Sequence, residues 1–84
     1  MKISNNIFEL PVGSVGIVAG YSRTYGGYAG SLISKGLILG TRFVVLELAL
    51  DRGTVQIMIQ DKIITLSKPE VNALCVDAVA EEDS

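Results

Sequence analysis

Residues 42–66 read Arg42-Phe43-Val44-Val45-Leu46-Glu47-Leu48-Ala49-Leu50-Asp51-Arg52-Gly53-Thr54-Val55-Gln56-Ile57-Met58-Ile59-Gln60-Asp61-Lys62-Ile63-Ile64-Thr65-Leu66. The middle of this stretch alternates strictly: Val55, Ile57 and Ile59 point one way, and Gln56, Met58 and Gln60 the other. Period-2 alternation over six or seven residues is the mark of a half-buried strand. Before it, residues 42–49 are apolar on both faces, with Phe43 and Val45 on one side and Val44, Leu46 and Leu48 on the other. That pattern predicts a strand covered on both sides, as in a small closed barrel. Asp51-Arg52-Gly53 supplies a hairpin turn between the two, and Asp61-Lys62 a second tight turn into a strand over residues 63–66.

Outward from this meander, residues 15–19 form a first strand with Val15 and Ile17 on one face, and residues 74–79 form a last one. Two helical pieces interrupt the strands. Ser67-Lys68-Pro69-Glu70 spells a capping box, with proline in the first turn, and leaves room for about one turn of helix. The other covers residues 28–35. Gly36 is placed there to close it in the left-handed conformation, with Leu37 folding back on Leu32. Five short strands, one inserted helix after the first and a helical turn before the last describe a mainly β, SH3-like small barrel. With 84 residues the chain is one domain, with a core over about 9–79 and an acidic tail at 80–84.

Composition narrows the function. The chain is 49% hydrophobic and only 19% charged, and its mean hydropathy is +0.45. Both values point to an apolar surface that meets a partner. Between Glu9 and Lys35 the only charged residue is Arg23. The charge-free run over residues 10–22 is too short and too glycine-rich to cross a bilayer, and no secretory signal is visible, so the cytoplasm is the expected compartment. The net charge of −2 comes from the tail; without Glu81, Glu82 and Asp83 there are seven basic and six acidic residues. No basic footprint for nucleic acid results.

Catalytic and metal chemistry lack their usual residues. There is no histidine, the carboxylates are scattered singly, and the one cysteine, Cys75, reads as a small core side chain. The glycine-rich run Tyr21-Ser22-Arg23-Thr24-Tyr25-Gly26-Gly27-Tyr28-Ala29-Gly30-Ser31 matches no phosphate-binding motif. The sequence therefore implies no enzyme, no cofactor and no metal site. All three tyrosines fall in this one run, at positions 21, 25 and 28. Tyrosine and arginine are enriched at the energetic centres of interfaces. The candidate partner-binding residues are Tyr21, Arg23, Tyr25, Tyr28, Leu32, Leu37 and Leu39.

From about Glu9 to Val79 the pattern resembles the FeoA family, the ferrous iron transport protein A domain. The resemblance runs through Leu10-Pro11-Val12-Gly13-Ser14-Val15-Gly16-Ile17-Val18, Leu32, and Gly36-Leu37-Ile38-Leu39-Gly40-Thr41. It continues through Val44-Val45-Leu46, Gly53, Ile57-Met58-Ile59, Ile63-Ile64-Thr65-Leu66, Glu70 and Leu74-Cys75-Val76. The chain departs from the family pattern at Ala29-Gly30-Ser31, where a basic residue is frequent, and at Leu39 and Leu50, where proline is common. The resemblance implies an SH3-like domain that binds or regulates FeoB, the membrane ferrous iron transporter with a cytoplasmic GTPase domain, and does not move iron itself. Through that partner the protein would sit at the inner face of the plasma membrane. Two alternatives remain open at this point. Gly13-Ser14-Val15-Gly16-Ile17-Val18 also resembles the start of KOW-type nucleic-acid modules, and an apolar patch could instead be buried in a homo-oligomer.

Overall fold

The computed structural model describes residues 6–22 and 27–79. A 3-10 turn at Ile7–Glu9 is followed by β1 (Val15–Tyr21), α1 (Ala29–Ser34), β2 (Arg42–Ala49), β3 (Thr54–Ile59), β4 (Lys62–Leu66), α2 (Lys68–Ala73) and β5 (Leu74–Ala78). All strand pairs are antiparallel, and the sheet order is β4-β3-β2-β1-β5. This is the expected SH3-like, mainly β architecture, with one difference: the sheet has two edges, β4 and β5, which α2 joins along the chain.

The buried face of the sheet carries Val18, Phe43, Val45, Val55, Ile57, Leu66 and Val76, and Ile7, Leu10, Leu32, Leu37, Val71 and Ala73 close over it. β2 departs from simple alternation. Its register against β3 slips between Val45 and Glu47, so Val45 faces Ile57, Glu47 faces Gln56 and Leu48 faces Val55. The extra residue of this bulge reverses the phase of the strand. Leu48, expected on the face of Val44 and Leu46, turns instead to pack against the core. Val44 and Leu46 are only half-buried, so the second face of β2 is not fully covered.

β1 also outruns its expected end. A bulge at Ala19 lets Gly20 and Tyr21 pair with Cys75 and Leu74 of β5. Within β1, Gly16 lies opposite Phe43. A Cβ on Gly16 would stand 2.5 Å from Phe43 Cζ and 2.9 Å from Leu10 Cδ1, so only glycine lets the ring cover the strand.

The two helical pieces end as their sequences foretell. At α1, Gly36 takes φ +98°. Its N–H donates to the Ile33 carbonyl at 2.9 Å, and the Leu37 N–H donates to the Leu32 carbonyl at 3.0 Å. This pair of bonds is a Schellman ending, and it seats Leu37 beside Leu32 in the core. At α2, the Glu70 carboxylate accepts from the Ser67 N–H at 2.9 Å and completes the capping box. The β3–β4 turn lies one residue earlier than expected: Ile59 pairs with Lys62, so the loop is Gln60–Asp61. Gln60 carries the positive φ, 57°, a task usually given to glycine or asparagine, and so the sequence does not advertise it.

Candidate functional site

The segment between α1 and β2, residues 36–41, has no charge and folds as a tight strap. Leu37 turns inward, and the Tyr21 hydroxyl donates to its carbonyl at 2.7 Å. A turn bonds the Thr41 N–H to the Ile38 carbonyl at 3.0 Å. The strap is stitched to β1 by two bonds, Gly40 N–H to Val18 carbonyl at 3.0 Å and Val18 N–H to Thr41 carbonyl at 2.9 Å. With both ends fixed, Ile38 and Leu39 are forced outward, 53% and 63% exposed. Ile33 and Tyr28 of the preceding segment are also exposed.

Facing the strap is the β3–β4 hairpin, and a groove of about 500 Å³ runs between them. One wall consists of Lys35, Gly36, Ile38 and Thr41, and the other of Ile59, Gln60, Asp61, Lys62 and Ile64. Its lining combines the apolar Ile38, Ile59 and Ile64 with Lys35, Lys62 and Asp61, so both signs of charge are present. Such a surface suits a protein segment with an apolar anchor better than a nucleic-acid backbone, which requires clustered cations.

The wall formed by α1 is braced from below. Lys35 Nζ lies 2.8 Å from Glu70 Oε2, and 2.9 Å from Oε1. Ser31 Oγ donates to Oε2 at 2.5 Å, and Ser67 Oγ to Oε1 at 3.0 Å. Glu70 is only 6% exposed. Burial works against its charge, but the bonds from Lys35, Ser31 and Ser67 outweigh burial and bring its pKa down to about 2. This clasp joins α1 to α2 and is a structural device, since every oxygen lone pair it uses is already engaged.

The seven residues proposed from sequence separate clearly. Tyr28 and Leu39 are exposed, and Leu39 follows the groove-lining Ile38 in the strap. Leu32 and Leu37 are both 0% exposed, which corrects their assignment as contact residues. Burying each stabilises the fold by about 2 kcal/mol, and neither can reach a partner. Tyr21 is half-buried, with its hydroxyl committed to the strap. Arg23 and Tyr25 lie outside the described residues. The candidates read from the sequence do not include the exposed Ile33 or the groove-lining Ile38, Ile59 and Ile64. The available signal for Ile38 was the glycine pair: Gly36 closes the helix and seats Leu37 inside, and the turn that ends at Gly40 and Thr41 leaves the two residues between them outward.

Among the described residues no group of three or more acidic, cysteine or histidine side chains could hold a metal ion. No helix among them is long and apolar enough to cross a membrane.

Fold and surface together define a small, mainly β, SH3-like domain with an apolar strap against a hairpin. Residues 6–78 match the FeoA domain, and the chain belongs to that family. Its fold is similar to an FeoA-like protein from Clostridium acetobutylicum, at TM-score 0.81 and 17% identity over 100% of this chain and 96% of that one. A Pseudomonas aeruginosa protein solved by NMR superimposes at TM-score 0.69 with 22% identity, over 84% of this chain and 96% of that one. A manganese-dependent transcriptional repressor in complex with manganese gives TM-score 0.82 and 21% identity over 94% of this chain, but only 38% of the repressor is covered. No curated protein matches the sequence.

Proposed function

We propose that this chain is a non-catalytic accessory protein of ferrous iron uptake that docks on the cytoplasmic GTPase part of a FeoB-type iron transporter. The observation that carries the reading is the strap at 36–41, a charge-free segment that presents Ile38 and Leu39 to solvent from a rigidly bonded loop, in a chain of the FeoA family. Exposed aliphatic side chains carried on a backbone already held in one conformation cost no loop ordering when a partner covers them. The groove beside them gives a partner side chain somewhere to enter.

On this reading the protein works in the cytoplasm and reaches the inner face of the membrane only through its partner. It needs no cofactor of its own, and iron is the transporter's cargo. Among the described residues the cations Arg42, Arg52, Lys62 and Lys68 fall on β2, the β2–β3 turn, β4 and α2, and Lys35 is committed to Glu70, so nothing there favours the nucleic-acid alternative. A pull-down with the purified GTPase domain of a FeoB-type transporter as bait tests the reading. Retention of the wild-type chain together with loss of Leu39→Ser supports it; equal recovery of both, or of neither, removes its basis.

A further inference from the structure

β4 is an edge strand, and no strand among the described residues pairs with its outer side. The two-residue loop Gln60–Asp61 makes Ile59 and Lys62 the hydrogen-bonded pair that closes the hairpin. Pair type alternates along an antiparallel ladder, so Lys62, Ile64 and Leu66 bond to β3 while Ile63 and Thr65 turn their N–H and C=O groups outward. The Thr65 carbonyl confirms this direction, because it accepts a hydrogen bond from Lys35 Nζ at 3.2 Å. The Ile63 side chain is 62% exposed on the same strand. An apolar edge with free main-chain groups is a template for another strand.

We propose that Lys35, reaching from the end of α1 to the Thr65 carbonyl, guards the β4 edge against pairing with the β4 of a second copy of this chain. The edge is self-complementary. A two-fold axis through Ile64 would set Ile63 of one copy opposite Thr65 of the other, with each residue exchanging both main-chain bonds. Half of those bonds use the Thr65 carbonyl, which the ammonium occupies. The same axis would bring two Lys35 ammonium groups to one seam, and like charges there oppose association. The guard is held at its post by Glu70, at 2.8 Å, whose own position is fixed by Ser31 and Ser67. A lysine placed against an edge is a known way of blunting it.

The test is light scattering on the full chain from micromolar to near-millimolar concentration, with far-ultraviolet circular dichroism to confirm folding. Removing Lys35 alone would strand the buried Glu70 charge, so the guard is removed with its partner, as K35M/E70Q and as K35M/E70L. E70Q alone keeps the lysine, whose ammonium can still donate to the side-chain amide oxygen at that position and to the Thr65 carbonyl, and serves as control. Wild type and E70Q should hold the mass of one chain, 8.9 kDa, while the double variants rise toward twice that value with concentration. Adding Thr65→Pro, which removes an outward N–H without touching the β3 ladder, should return the double variants to one chain and leave the wild type unchanged. Folded double variants that stay at the control's mass overturn the proposal. Unfolding of both also overturns it, since Lys35 would then serve the fold and not the edge.

Discussion

Replacing Glu70 with glutamine removes the only buried charge among the described residues, and the structure sets how much stability goes with it. The carboxylate accepts bonds from the Ser67 N–H, the Ser67 and Ser31 hydroxyls and the Lys35 ammonium. They lower its pKa from 4.5 to about 2 against the opposing effect of burial. A depressed folded-state pKa contributes stability that is fully present above the unfolded value and is lost as pH falls through the folded one. The window therefore runs from about pH 4.5 down to about pH 2. At about 1.36 kcal/mol per pH unit, the difference amounts to about 3 kcal/mol near neutrality. Its side chain is 8% exposed, so solvent screens little of this, although Lys35 at 33% can recover part of its hydration once the acid is gone. A chain this short has total stability toward the low end of about 5–15 kcal/mol, so the loss is a large share. Urea unfolding of wild type and Glu70→Gln from pH 7 to pH 2 reads it directly. The wild-type advantage should be about 3 kcal/mol at pH 7 and nearly vanish at pH 2. Two curves that stay parallel across that range would refute the account of the clasp.

Other substitutions test separate parts of the structure. Gly16→Ala places a methyl group within 2.5 Å of the Phe43 ring, and overpacking of this kind should cost about 2 kcal/mol in urea unfolding. Gly36→Ala meets open space, with Ile59 Cδ1 the nearest atom at 3.9 Å, so its cost is backbone strain at φ +98°, about 1–2 kcal/mol by the same measurement. Leu39→Ser, at a position 63% exposed, should change stability by less than about 0.5 kcal/mol while removing partner capture, a separation that thermal melting and pull-down read together.

Much of this architecture is legible in the sequence because its signals are local. The capping box at Ser67 and Glu70 and the glycine ending of α1 lie within a few residues of the groups they satisfy. The alternation of Val55, Ile57 and Ile59 fixes β3 without reference to anything distant. What stays hidden is either a shift of phase or a long-range pair. The bulge at Leu46 turns Leu48 to the core with no proline or glycine to mark it. Gln60 takes the left-handed conformation that composition would have assigned elsewhere. Lys35 and Glu70 meet from helices far apart in the chain, and no spacing rule links them. Exposure was only half legible. The charge-poor stretch with leucines and tyrosines does not show which of its side chains reach the surface; burial divides it, taking Leu32 and Leu37 for the core and leaving Leu39 outside.

The central claim, that the strap at 36–41 is where the transporter's GTPase domain docks, is tested most directly by titrating that domain into isotope-labelled protein and following backbone amides. The account predicts shifts concentrated at Ile33, Ile38, Leu39 and the facing hairpin around Gln60, abolished by Leu39→Ser. A spectrum unchanged at high partner concentration, or shifts confined to β5 and the opposite edge of the sheet, would contradict it.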